Sequence, residues 1–239
     1  MKLSKFLREN KKNLTDYSLS GLGSLVEDFF TEPESLLHKA EKKLVENDDL
    51  AGAHELLTKS IETQTVTLLN KLGIKASHVF SEQISLVNQL GILAPRILLK
   101  IECLHNSLEA HAEYEKKEKL ENQLDIASLY IKITKRFMNN FFQDFEMSFH
   151  ENNPNWNKIN ECSWLGSAKH GFKILFHEKG RPHIQVIGVV DYLEIMNYRI
   201  NSSKRDFIPL LRAFVKLSLW DIHPDSVFDE LCREVLEEA

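Results

Sequence analysis

The chain has 239 residues, 43% hydrophobic and 27% charged, with a formal net charge of −5. That composition suits a soluble globular fold, and the negative balance argues against tight, charge-driven nucleic-acid binding by the chain as a whole. Three widely spaced cysteines without a CxxC point to reduced thiols and a cytoplasmic protein. The N-terminal MKLSKFLRENKKN has no apolar signal core, and no apolar run approaches the roughly 20 residues a membrane helix needs.

Only 9 Gly and 6 Pro favour long helices over a turn-rich β architecture. Residues 1–30 read as a docking segment: a short basic helix, a Gly-containing turn (SLSGLGS), then LVEDFF. Thr31, Pro33 and Glu34 form a helix start with capping-box spacing. Leu50, Ala53, Leu57, Ile61, Leu68 and Leu72 mark a longer helix that stops at Gly73. Ala76, Phe80, Ile84, Val87 and Leu90 line the next, ended by Gly91. Pro95 opens another, with Ile97, Ile101, Leu104 and Leu108 on its core face.

After a charged run, EYEKKEKLENQ, apolar residues from Leu120 to Phe149 recur at steps of three and four. They predict one helix of about 30 residues with a continuous buried seam. The polar HENNPNWNKINE marks a boundary. Beyond it, FKILFH and HIQVIGVV read as two strands joined by a turn. DYLEIMNYRI fits a helix or a third strand, and two helices close the chain. The expected fold class is therefore mainly α. It is an up-down helical bundle over 31–150, then a small α+β segment over 155–239 containing a β-hairpin.

The stretch CLHNSLEAHAEY, within LVNQLGILAPRILLKIECLHNSLEAH, carries the densest set of candidate chemistry. From about Asp48 to Phe149 the chain resembles the HEPN superfamily of helical bundles. That resemblance implies an Arg-polar-x4-His motif that cleaves RNA without a metal, usually across a dimer of facing motif helices. His111 matches the histidine, Asn106 matches the polar residue, and Tyr114 lies near an aromatic found in some members. The arginine position holds His105. RNA cleavage needs a proton acceptor, a proton donor and a cation beside the phosphate. Arginine is always charged and offers a planar fork, whereas histidine is charged over only part of the physiological pH range. Two histidines can still run acid–base cleavage. On a straight helix, though, six residues rise about 9 Å and leave the side chains about 120° apart. The plainer alternative is that His105 caps an apolar stripe and Asn106 meets water.

Cys162, His170, His177 and His183 stand too far apart in sequence for the close ligand pairs of structural zinc sites. No metal or cofactor is implied. Lys169, Lys173, Lys179, Arg181 and Arg212 could line a basic groove for RNA, unless the acidic residues after Leu217 neutralise it. Two functions follow. One is a HEPN-like homodimeric interaction or regulatory module, non-catalytic, binding a protein or RNA partner in a defence, toxin–antitoxin or regulatory system. The other is a metal-independent ribonuclease toxin using His111 and His105, with Asn106 beside them.

Overall fold

The computed structural model describes residues 1–25, 32–46, 48–106, 117–149, 168–179, 181–219 and 222–237. Among these, the helices are α1 (Leu3–Asn10), α2 (Glu32–Glu46), α3 (Leu50–Lys71), α4 (Phe80–Leu90), α5 (Pro95–Asn106), α6 (Lys117–Asn139), α7 (Phe207–Leu219) and α8 (Pro224–Glu237). The strands are β1 (Asp16–Gly23), β2 (Phe141–Phe149), β3 (His170–His177), β4 (His183–Val190) and β5 (Leu193–Ile200). The chain forms two compact units, one from 1–23 with 141–239 and the other from 24–140.

The first unit holds a five-stranded antiparallel sheet in the order β1-β2-β3-β4-β5. This corrects the expected fold class: helices dominate, but the β component is a full sheet rather than a hairpin. Phe141–Phe149 is a strand, not the end of a 30-residue helix. Phe141, Phe145 and Phe149 satisfy a four-residue helical step and an alternating strand step equally well, so periodicity cannot separate them. The break is local. Asn140 donates from Nδ2 to the Arg136 carbonyl at 2.9 Å and from its backbone N–H to Phe137 at 3.2 Å, which closes α6. Aromatic-rich sequence then continues as a strand. SLSGLG, expected as a turn, belongs to β1, with Gly21 at φ +67° and Leu19 opposite Phe145.

One face of this sheet carries an aromatic core. Phe172 packs on Phe6 of α1 and Phe228 of α8, with ring centroids 6.2 and 5.6 Å apart. Phe141 packs on Phe176 and on Phe214 of α7, at 5.1 and 5.9 Å. At Gly188 the helix comes so close that an added Cβ would sit 2.7 Å from the Phe6 ring and 2.9 Å from Met196.

The second unit is helical, with α2, α3 and α6 in contact, α4 against α3 and α5, and α5 against α3 and α6. Asp49 caps α3, accepting from the Gly52 N–H at 2.9 Å. Lys43 donates to the same carboxylate, which with the Gly52 bond holds its pKa below the usual value. Of the apolar positions read from the sequence, Leu57, Ile61, Leu68, Ile84, Val87, Ile101, Leu104 and Ile131 are buried, whereas Leu50, Ala76 and Ile97 are only half-buried. A polar seam runs between α3 and α6. Gln64 donates to Thr134 at 2.8 Å, and the Tyr130 hydroxyl meets Thr65 Oγ1 at 2.7 Å. Among the described residues, no helix is long and apolar enough to cross a membrane. Thr31, the expected cap of α2, lies outside the described residues.

Candidate functional site

His105 stands at the end of α5, and the site around it is built from three helices. Its Nε2 lies 2.7 Å from Glu62 Oε1 on α3. A carboxylate only accepts, so Nε2 carries a hydrogen and donates. One ring face stacks on Phe80, the first residue of α4, with centroids 4.1 Å apart and planes 10° from parallel. The side chain is 17% exposed, and Nδ1 is buried with no partner among the described residues.

A tight turn before α4 places Phe80. The Val79 N–H donates to Ser77 Oγ at 3.1 Å, Ser77 Oγ donates to Glu82, and Gln83 Nε2 donates to the Ser77 carbonyl at 2.6 Å. Ser77 thus works as a turn and cap residue through both its hydroxyl and its carbonyl. The Gln83 bond also fixes its amide orientation. The carbonyl Oε1 is left buried without a partner among the described residues.

Glu62, Val66, Phe80, Gln83, Glu102 and His105 line a cleft of about 760 Å³. That size lies within the range of small-ligand sites. Its described lining contains the two carboxylates and no Lys or Arg. The arrangement is therefore rich in acceptors and poor in fixed positive charge. Glu62 meets any charge His105 acquires, so His105 does not supply the free cation that a developing phosphate charge requires. Asn106 is exposed at the end of α5. His111 and Tyr114 lie outside the described residues.

The expected basic residues belong to the sheet unit. Lys173 sits between Asp144 at 2.8 Å and Glu146 at 3.5 Å. Burial pushes the Glu146 carboxyl up to about 7, with Lys173 drawing it down and Asp144 pushing it up. Arg212 pairs with Glu234 at 2.7 Å, and Lys216 pairs with Glu230. The acidic α8 thus neutralises these two positions on α7. Lys179 and Arg181 are exposed on either side of the β3–β4 turn, and Lys169 is half-buried.

His177 and His183 face each other across that hairpin, with rings 4.8 Å apart. His177 bonds Gln185, and His183 bonds the Arg181 carbonyl. Among the described residues, no three His, Cys, Asp or Glu side chains stand together as metal ligands. Cys162 lies outside them.

Sequence reasoning singled out His105 but missed Glu62, Phe80, Gln83 and Glu102. Glu62 and Glu102 sit beside buried Ile61 and Ile101, at the flanks of apolar stripes. Only the packing of α3 against α5 brings them to one cleft. SHVFSEQ did carry a legible turn-and-cap signal, which would have started α4 at Phe80 rather than near Ala76. Comparison with family models, with curated proteins and with solved structures finds no match to this chain.

Proposed function

We propose that the chain acts through its helical unit as a HEPN-like, non-catalytic interaction module. On this reading the resemblance implies a homodimer that serves a defence, toxin–antitoxin or regulatory system. The observation that carries this is the pairing of His105 with Glu62 at 2.7 Å. At the position where the resemblance implies a free arginine, the side chain is already engaged by a carboxylate and stacked on Phe80. The absence of Lys and Arg from the described lining favours a protein partner over RNA at this cleft.

The test is direct. Purified protein incubated with labelled RNA, with and without EDTA, is expected to leave the RNA intact, and expression is expected to be harmless to cells. Toxic expression that His111→Ala abolishes, together with RNA cleavage insensitive to EDTA, would replace the module with the ribonuclease reading. Light scattering checks the homodimer separately.

A further inference from the structure

We infer that the free edge of β5 is a self-association surface whose occupant is β5 of a second copy of this chain, aligned antiparallel so that two five-stranded sheets join as one. The surface belongs to the sheet unit and does not depend on the reading of the helical unit.

β5 ends the sheet order, so among the described residues its outer edge has no strand beside it. A row of unpaired backbone N–H and C=O groups is a template for a further strand. Edges are commonly blunted by Pro or Lys, and LEIMNYRI has neither. It exposes apolar side chains instead: Leu193 is 67% exposed and Ile195 is 39% exposed. The register with β4 skips Ile195, an irregularity near the start of the strand, and Met196 to Ile200 pair without a break. β1, the opposite edge, is interrupted in mid-strand at Gly21, with φ +67°.

Charge selects a second copy as the occupant. Val189 faces Glu194, Gly188 faces Met196 and Ile187 faces Asn197. Because Ile195 is skipped, Glu194 stands two ladder positions before Asn197, and Arg199 stands two after it. These side chains share one face of the sheet. Asn197 donates to Glu194 Oε1 at 3.1 Å and accepts at 2.9 Å from Gln185, the register partner of Arg199. Turned about Asn197, an antiparallel copy sets each Glu194 opposite Arg199 of the other chain. Asn197 then meets its own copy, and Leu193 meets Ile200 on the other face. Two opposite-charge pairs form across the new ladder and no like charges face each other. Arg199 is exposed and has no ion-pair partner among the described residues, so it is available for this contact. A two-fold interface must be self-complementary, and this strand carries both halves of the pattern itself.

The test is a cross-link at the two-fold axis. Antiparallel partners have Cα atoms about 4.5–5.5 Å apart, within disulfide reach. Full-length Asn197→Cys, in a Cys103→Ser, Cys162→Ser background, is expected to link into a dimer under mild oxidation. Gln185→Cys, one strand inward on the same face, lies at least about 14 Å from its counterpart and should give no linked dimer. Glu194→Arg or Arg199→Glu, each added to Asn197→Cys, should slow the cross-link at least about fivefold, because like charges then face each other. An equimolar mixture of those two variants restores opposite-charge pairs between unlike chains and should restore the rate, which also shows that both are folded. No link through Asn197→Cys, an equal link through Gln185→Cys, charge variants that link at the parent rate, or a mixture that stays slow would each overturn the assignment. A dimer in light scattering with no Asn197→Cys link removes this surface alone and leaves the homodimer of the helical unit standing.

Discussion

Glutamine at position 146 should stabilise the sheet unit, and only at neutral and alkaline pH. Glu146 lies on β2 with its side chain 3% exposed, and it shares Lys173 with Asp144. Its carboxyl is raised from 4.5 to about 7, chiefly by burial. Between those values the folded chain keeps a proton that the unfolded chain has released. The unfolded state then binds fewer protons, so stability falls as pH rises through the window and stays low above it. At about 1.4 kcal/mol per pH unit, the ceiling on this loss is about 3 kcal/mol. Lys173 and Asp144 are 22% and 17% exposed, and solvent screening around them brings the expected effect to about half of that. Glu146→Gln removes the titration, keeps the shape and leaves Lys173 paired with Asp144. The assay is urea unfolding at pH 5 and pH 8, followed by the methyl resonances of Met147 and Met196 in the sheet unit. The variant should gain about 1–2 kcal/mol over the parent at pH 8 and much less at pH 5. An equal gain at both pH values, or none at pH 8, would refute the reasoning.

Other perturbations address packing and reactivity. Tyr130→Phe deletes the bond to Thr65, and Thr65 keeps its bond to the Ile61 carbonyl, so about 1 kcal/mol should be lost in thermal unfolding of the helical unit. Gly188→Ala drives a methyl into Phe6 and Met196, and should cost the sheet unit about 1–3 kcal/mol in urea unfolding. In a Cys162→Ser background, a thiol reagent should label exposed Cys103 quickly. Cys232 should stay unlabelled until unfolding, because burial removes access and pushes its thiol up to about 12.

The helical unit was legible where apolar spacing, Pro and Gly agree. Pro95 opens α5, Gly91 follows α4 with φ +74°, and Gly73 follows α3 with φ +79°. Legibility failed at β2, where Phe141, Phe145 and Phe149 suit either period and the decisive signal was the Asn139–Asn140 pair. It failed again at β1, whose half-exposed edge carries too few apolar residues to announce a strand: Leu22 is 53% exposed and Tyr17 is 42% exposed. The site was half legible. His105 stood out by its chemistry, but its carboxylate partner lies 43 residues away on another helix. No local pattern encodes that distance.

The connection between β1 and β2 has a thermodynamic consequence of its own. Gly23 and Phe141 are register partners, so the chain that makes the helical unit leaves and returns at neighbouring positions. The Leu25 N–H donates to the Met138 carbonyl at 2.8 Å, and Ser24 bonds Asn139 at 3.1 Å, which draws the two ends together. While those helices are folded, β1 meets β2 as if across a short turn. When they melt, the link becomes a flexible loop of about 120 residues, and closing it costs about 3 kcal/mol more than closing a turn of about four. The edge strand therefore senses the folded state of the helices through chain entropy alone. A ligand that tightens the helical unit would also hold β1 in the sheet, with no contact required to carry the message.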